Sequence, residues 1–548
     1  MRPARPWLIA AAVCAGLAII HTWPLATAPG TWCRNDNGDA QLNEWILAWV
    51  AHQLPRSPAH LFDANIFYPA RNTLAFSEPL IVPGIMGAPL HWLGASPVLA
   101  YNIVLLLGFT LTALAMFALI YEWTRDRSAA LVAASIFAFN THTLTRLTHV
   151  QGIHAWGLPL ALLSTDRLIT GGSLRDAVWL AVWMTAMAYT SGYLAVFGVV
   201  MIAVSLLARV HAWLPRAAAV GARFGLAAAL TFVATLPLGL HYGRAAIEEG
   251  MVRALEDVAM YSVGPQAYLA SAGRIHFYTW SGEFFRTSID YFFPGFVALI
   301  LAAAAVAYVA RRTTASDDLA FSRQRVLMLV AIAIAGFVLS LGTNTPIYGW
   351  LYGVFPPMQG LRAASRFGNL FLLGIAALSG LGLSLLRQRQ AFRASIIGVA
   401  LVIAVNAESF RAPFYYTRFP GIPGIYAELA DHPGPVVLVE IPFYPPRSVF
   451  ENATYVLNST AHWRPIMNGY SGHTPALYRK YADLFGQFPS QGAILAMKQA
   501  GATHVMVHPA RLGLDRAAAD TFLAPLATSA ALDRIATGQQ GVTLYRLR

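Results

Sequence analysis

Charge is what this sequence has little of. Only 12% of its 548 residues are Asp, Glu, Lys or Arg, while 57% are apolar and the mean hydropathy is +0.52. A water-soluble surface needs more charge than that, which excludes a set of soluble domains and points to a polytopic membrane protein. Lysine is nearly absent, with Lys480 and Lys498 alone among the cations that are otherwise Arg. The net charge of +12 gathers in no block. Its arginines are spread over the ends of apolar segments, which argues against a nucleic-acid partner and for cytoplasmic loops obeying the positive-inside rule. The two cysteines, Cys14 and Cys33, would stand about 25 Å apart on a helix, so no disulfide is expected. Internal repeats and low-complexity tracts are also missing.

Apolar runs of membrane length lie near residues 7–26, 97–121, 128–145, 151–169, 177–190, 193–208, 224–241, 291–310, 326–342, 367–386 and 394–410. They predict about 11 transmembrane helices. The first run follows Arg2 and Arg5, and its length without a small-residue cleavage site predicts an uncleaved span rather than a signal peptide. Leu80 to Leu93 is short and broken by Pro83, Gly84, Gly87 and Pro89, which suits a re-entrant or interfacial segment. Alternate loops carry short arginine-rich stretches, from Arg125/Arg127 to Arg387/Arg389/Arg393. These are the predicted cytoplasmic loops, with the N-terminus on the same side. The long segments 27–96, 242–290, 343–366 and everything after 411 fall outside.

The expected fold is therefore mainly α: a multispanning domain over 1–411 with an outer loop at 27–96, followed by a small extracytoplasmic α/β domain over 412–548. In the latter, Val436 to Ile441, Thr503 to Val507 and Val542 to Tyr545 read as strands and Gln491 to Ala500 as a helix. That region has neither a Gly-rich phosphate loop nor metal-ligand spacing.

The scarce acids make one stretch conspicuous. Arg34-Asn35-Asp36-Asn37-Gly38-Asp39-Ala40-Gln41-Leu42-Asn43-Glu44-Trp45 holds three carboxylates directly after the first apolar run. Asp63 and Glu78 complete the acids of this outer loop. Leu42, Trp45, Ile46 and Trp49 recur at helical spacing and predict a helix on the membrane surface, with Asp39 as its N-cap. Asp36 has no capping role. A carboxylate at the water–lipid boundary suits a general base on an acceptor hydroxyl or a ligand of a divalent cation, Mg or Mn.

This order resembles the GT-C superfamily of membrane glycosyltransferases: one span, a large outer loop with Asn35-Asp36-Asn37-Gly38-Asp39 and a following helix, many further spans, and a soluble outer domain. The resemblance covers the architecture of the whole chain. It implies a sugar donor linked to polyprenyl phosphate, transfer on the outer side of a bacterial inner membrane, and a catalytic first-loop Asp, here Asp36 or Asp39. Many members have adjacent acids, whereas Asn37 and Gly38 keep these two apart, so the choice between them stays open. The acceptor, a glycan, lipid or protein, is not specified.

In Phe355-Pro356-Pro357-Met358-Gln359-Gly360-Leu361-Arg362-Ala363-Ala364-Ser365-Arg366-Phe367, two arginines spaced i, i+4 are expected on one helix face immediately outside a span. Guanidiniums suit a lipid-linked phosphate, and Arg362 and Arg366 are the expected donor-phosphate ligands. Headgroup snorkelling is the simpler alternative. His142, Arg146 and His149 recur along one helical face with His154 nearby, at the outer ends of two spans. Metal ligation or substrate contact would both suit them, and Glu44 and Glu78 are further candidate substrate contacts. The aromatic-rich loop 242–290, with Tyr261 among its rings, suits sugar-ring stacking or, by default, an interfacial belt, and Asn468-Gly469-Tyr470-Ser471-Gly472-His473 reads as a polar turn able to face a cavity. Two functions fit: a membrane glycosyltransferase, or a non-catalytic transporter or lipid-handling protein. The missing repeats and the weight of outer-side loops favour the enzyme.

Overall fold

The computed structural model describes residues 5–34, 38–311, 317–387 and 394–548. The chain is mostly helical with a small C-terminal sheet. It forms two compact units: Met1–Ala28, Ile103–Pro237 and Val252–Tyr415 in the first, and Pro29–Asn102, Leu238–Met251 and Tyr416–Arg548 in the second.

Among the described residues, four helices are long and apolar enough to cross a membrane, Pro97–Thr124, Val210–Glu249, Arg323–Ser340 and Ala364–Leu386. Shorter apolar helices cover Trp7–His21, Arg127–Ala138, Gly192–Ala208, Phe296–Ala310 and Ile396–Ser409. Helix thus occurs at these predicted runs, but several fall short of the roughly 20 residues needed to span a bilayer. The run 128–145 is not one helix: it stops at Ala138, and Asn140 starts a new turn by accepting the Thr143 N–H at 2.8 Å.

In the first unit, the helix Gly368–Arg387 is central. A Cβ on Gly382 would meet the Leu301 carbonyl oxygen at 2.0 Å, and one on Gly374 would meet the Leu329 carbonyl oxygen at 2.8 Å. Backbones this close need glycine, the usual device for packing helices in lipid. Elsewhere in the unit, Asp166 is 1% exposed and joins four elements. It accepts from Arg209, from Arg325 Nη2 at 2.8 Å and from Trp123 Nε1 at 2.8 Å.

The second unit holds a sheet of four strands, β3-β4-β6-β5 in spatial order, with β3 Leu438–Ile441, β4 His504–Val507, β5 Leu532–Thr537 and β6 Thr543–Leu547. β3 and β4 are parallel and the other pairs antiparallel. Three of these strands and the helix Gln491–Gln499 match the sequence reading. β5 escaped it because Asp533 and Arg534 give that edge strand no apolar run. A short antiparallel pair, β1 Trp32–Cys33 with β2 Thr417–Arg418, joins the first loop to the residues after the last apolar helix. Cys14 and Cys33 are both buried thiols outside any disulfide.

The loop helix Asp39–Gln53 differs from expectation in two ways. Its N-cap is Gly38, at φ 82° and without a side-chain bond, so Asp39 is the first helical residue and not the cap. It is also no surface helix, because Ala40 and every residue from Leu42 to Ala51 are buried. The segment read as re-entrant is a helix, Ile81–Trp92, whose Gly84 lies against Val50; a Cβ there would approach the valine Cβ to 2.6 Å. All-round burial encloses Glu44, 1% exposed and with Oε2 unbonded. Removal from water pushes its carboxyl up to about 8.

Both buried acids can be tested by substitution. Asp166→Ala leaves the buried Arg209 guanidinium uncompensated, so it should lose about 3–5 kcal/mol, seen as a lowered thermal midpoint in detergent. An unchanged midpoint would show that Asp166 holds nothing together. For Glu44, the folded protein keeps a proton that the unfolded chain gives up above its ordinary carboxylate pKa. Stability therefore falls as pH rises from about 4.3 to the folded value near 8, by up to about 1.4 kcal/mol per unit, and levels off above it. Glu44→Gln should flatten this slope, and an equal slope in both proteins would contradict the assignment.

Candidate functional site

Of the two first-loop aspartates, Asp36 lies outside the described residues. Asp39 accepts a hydrogen bond from Tyr470 Oη at 2.5 Å, which orients the carboxylate from the turn Asn468 to His473. The turn is held close to the loop because Gly469 has no side chain: a Cβ there would lie 2.5 Å from the Phe67 ring. Further along it, His473 Nε2 stands 3.6 Å from Glu249 Oε2. Glu78 is half-buried within electrostatic reach of Tyr242, whose hydroxyl donates to the Ser77 carbonyl oxygen. Glu44 is enclosed, so it is not a surface contact for a substrate.

The histidine cluster does not form one helical face. Only Thr141–Leu144 and Val150–Ile153 are helical there, with turns between them. His142 and Arg146 nevertheless converge, on a residue the sequence had not singled out. Asp290, 2% exposed, accepts from Arg146 Nε at 3.0 Å and from its Nη2, and His142 Nδ1 lies 3.3 Å away. Burial alone would raise this carboxyl; its neighbours His142, Arg146 and Ser365 hold it well below the usual carboxylate range. His149 instead bonds Thr148 Oγ1 at 2.9 Å, and the buried His154 bonds the Val104 carbonyl oxygen at 3.0 Å. Among the described residues no group of three or more His, Cys, Asp or Glu is placed to hold a metal ion.

Arg362 and Arg366 do not share a helix face either. Leu361 is extended and a 3-10 turn begins only at Ala364, so the i, i+4 spacing carries no helical meaning. Their placement comes from two tyrosines. Arg362 lies over the Tyr261 ring at 5.1 Å, and Arg366 over the Tyr193 ring at 4.6 Å. Tyr193 Oη also accepts the N–H groups of Arg362, at 3.1 Å, and Ala363, at 2.9 Å, while the Ser365 N–H donates to the Tyr261 carbonyl oxygen at 3.0 Å. The loop is thus fixed through its main chain, and its guanidiniums stay available. Among the described residues neither Arg362 nor Arg366 forms an ion pair with a carboxylate. Beside them, the helix Pro346–Val354 exposes Ile347, Trp350 and Val354. A cationic edge next to an apolar face fits an amphiphile with an anionic head.

Sequence reasoning missed Asp290, Tyr193 and Arg253, and noted Tyr261 only among the aromatics of the 242–290 loop. Tyr193 was marked only by its Ser191-Gly192 break between two apolar runs. Asp290 was marked by being a single acid directly before an apolar run. Nothing in the pattern distinguishes Arg253.

No family model matches this chain, and no curated protein matches it in sequence. Solved structures do match in fold. The arabinofuranosyltransferase AftD from mycobacteria aligns over 100% of this chain with a TM-score of 0.61 and 17% identity. This chain spans 40% of AftD's length. Lower-scoring matches are the oligosaccharyltransferase of Archaeoglobus fulgidus, at TM-score 0.47 and 14% identity over 92% of this chain and 69% of that one, and ArnT of Cupriavidus metallidurans, at 0.41 and 12% over 99% and 98%. Over its whole length the chain shares the fold of the part of AftD with which it aligns.

Proposed function

We propose that this protein is a membrane glycosyltransferase that moves a sugar from a polyprenyl-phosphate donor to an extracytoplasmic acceptor. In this reading the N-terminus is cytoplasmic and the C-terminal domain lies outside a bacterial inner membrane. The observation that carries it is the pair Arg362 and Arg366, seated on tyrosine faces, free of carboxylates among the described residues and flanked by exposed Ile347, Trp350 and Val354. Cations with no carboxylate partner among the described residues, close in sequence to exposed apolar side chains, suit a phosphate with a lipid tail. In the second unit, a first-loop aspartate serves as general base toward the acceptor hydroxyl. Asp39 is one candidate, oriented by Tyr470, and Asp36 the other. The shared fold is consistent with this activity.

The test is transfer from a radiolabelled polyprenyl-phosphate sugar by purified, reconstituted protein. Asp36→Asn or Asp39→Asn should slow label release by about 10²–10⁴-fold, the usual contribution of a general base. If neither does, the base is not in this loop. Removing both arginines, Arg362→Ala with Arg366→Ala, should weaken donor binding by at least about 10-fold. Unchanged affinity would return them to headgroup contacts. Passage of the intact donor across liposomes with no bond cleaved would favour the lipid-handling alternative.

A further inference from the structure

Arg253 lies more than a hundred residues from the arginine loop in sequence, yet hydrogen bonds tie it there. Its N–H donates to the Gln359 carbonyl oxygen at 3.3 Å, and its own carbonyl oxygen accepts from Tyr352 Oη at 2.8 Å. Both partners are close to the loop: Tyr352 is in the helix Pro346–Val354, and Gln359 is in the turn Pro356–Gly360 that precedes Arg362. The Arg253 side chain is half-buried, and the same charged and phenolic groups surround it as surround the loop. Burial and the charge of Arg362 lower its pKa, and Tyr193, Asp257 and Tyr261 act in the other direction. Two guanidiniums within electrostatic reach repel each other, and a bound anion offsets that repulsion.

Under the glycosyltransferase reading, on which this inference rests, the transfer reaction creates such an anion as it proceeds. A donor phosphodiester carries one negative charge. As the acceptor oxygen bonds to the anomeric carbon, the bond from that carbon to the phosphate oxygen breaks, and its electron pair stays with the phosphate. The acceptor proton goes to the first-loop carboxylate. The departing lipid phosphate thereby acquires a second negative charge. Groups that meet charge only as it develops speed the chemical step without tightening ground-state binding.

We propose that Arg253 is a third phosphate-binding residue of this site, matched to the second negative charge on the departing lipid phosphate, while Arg362 and Arg366 hold the charge present throughout. The more exposed Arg362 meets the donor as it arrives. Arg253 has Asp257 as a facing carboxylate, so its charge is partly balanced until a further negative charge forms.

Two lipids separate the roles: farnesyl phosphate, a monoester standing for the product, and its methyl ester, a diester standing for the donor. Binding is measured in detergent above the monoester's second pKa of about 6, where it is a dianion. Arg253→Gln should weaken the monoester by about 10–100-fold and the diester by less than about 3-fold. Arg362→Gln should weaken both, and Arg253→Lys, which keeps a cation, should recover monoester binding. If Arg253→Gln weakens both lipids equally, or neither, the assignment of Arg253 is overturned and the donor site remains. Wild-type protein that binds neither lipid would overturn the donor class itself.

Discussion

The first unit depends on how closely one helix is approached by its neighbours. Gly374 and Gly382 let the backbones of flanking helices come to the surface of Gly368–Arg387 with no side chain between them. Where lipid offers no hydrophobic drive for helices to associate, such contact supplies dispersion energy and fixes geometry. The arginine loop runs directly into the N-terminal end of this helix. Its position is set at one end by this helix and along its main chain by the bonds to Tyr193 and Tyr261.

Buried charge forms the second layer of organisation. Asp166 binds two arginines and a tryptophan, and Asp290 binds Arg146 with His142 beside it. In the second unit, Glu440 is fully buried and bonds His508 Nε2 at 2.5 Å. Removing one partner of such a pair is costly because the other remains buried and unpaired, so each links the segments that carry it. Glu44 differs in having no cationic partner among the described residues, and burial favours its protonated form instead.

Much of the architecture was legible because apolar runs long enough for lipid are hard to mistake. The strands at 438–441 and 504–507 were also legible, being buried throughout and apolar except for Glu440 and His504. The site was less legible, for a physical reason. Spacing rules presuppose a helix, and neither the Arg362/Arg366 stretch nor the histidine stretch is one. The convergence of His142 and Arg146 on Asp290 is a long-range contact that no local pattern encodes. Asp39 was read as the helix cap, but Gly38 in the left-handed conformation occupies that position.

The inward commitment of the acids has an effect at the protein's boundary. Glu44, Asp166, Asp290 and Glu440 are all buried in a chain that has only 26 carboxylates. Each one drawn inside is a counter-charge withdrawn from the surface, where arginine then predominates. A surface of that sign draws anions from its surroundings, so its electrostatics respond to ionic strength, whereas the buried pairs are screened much less.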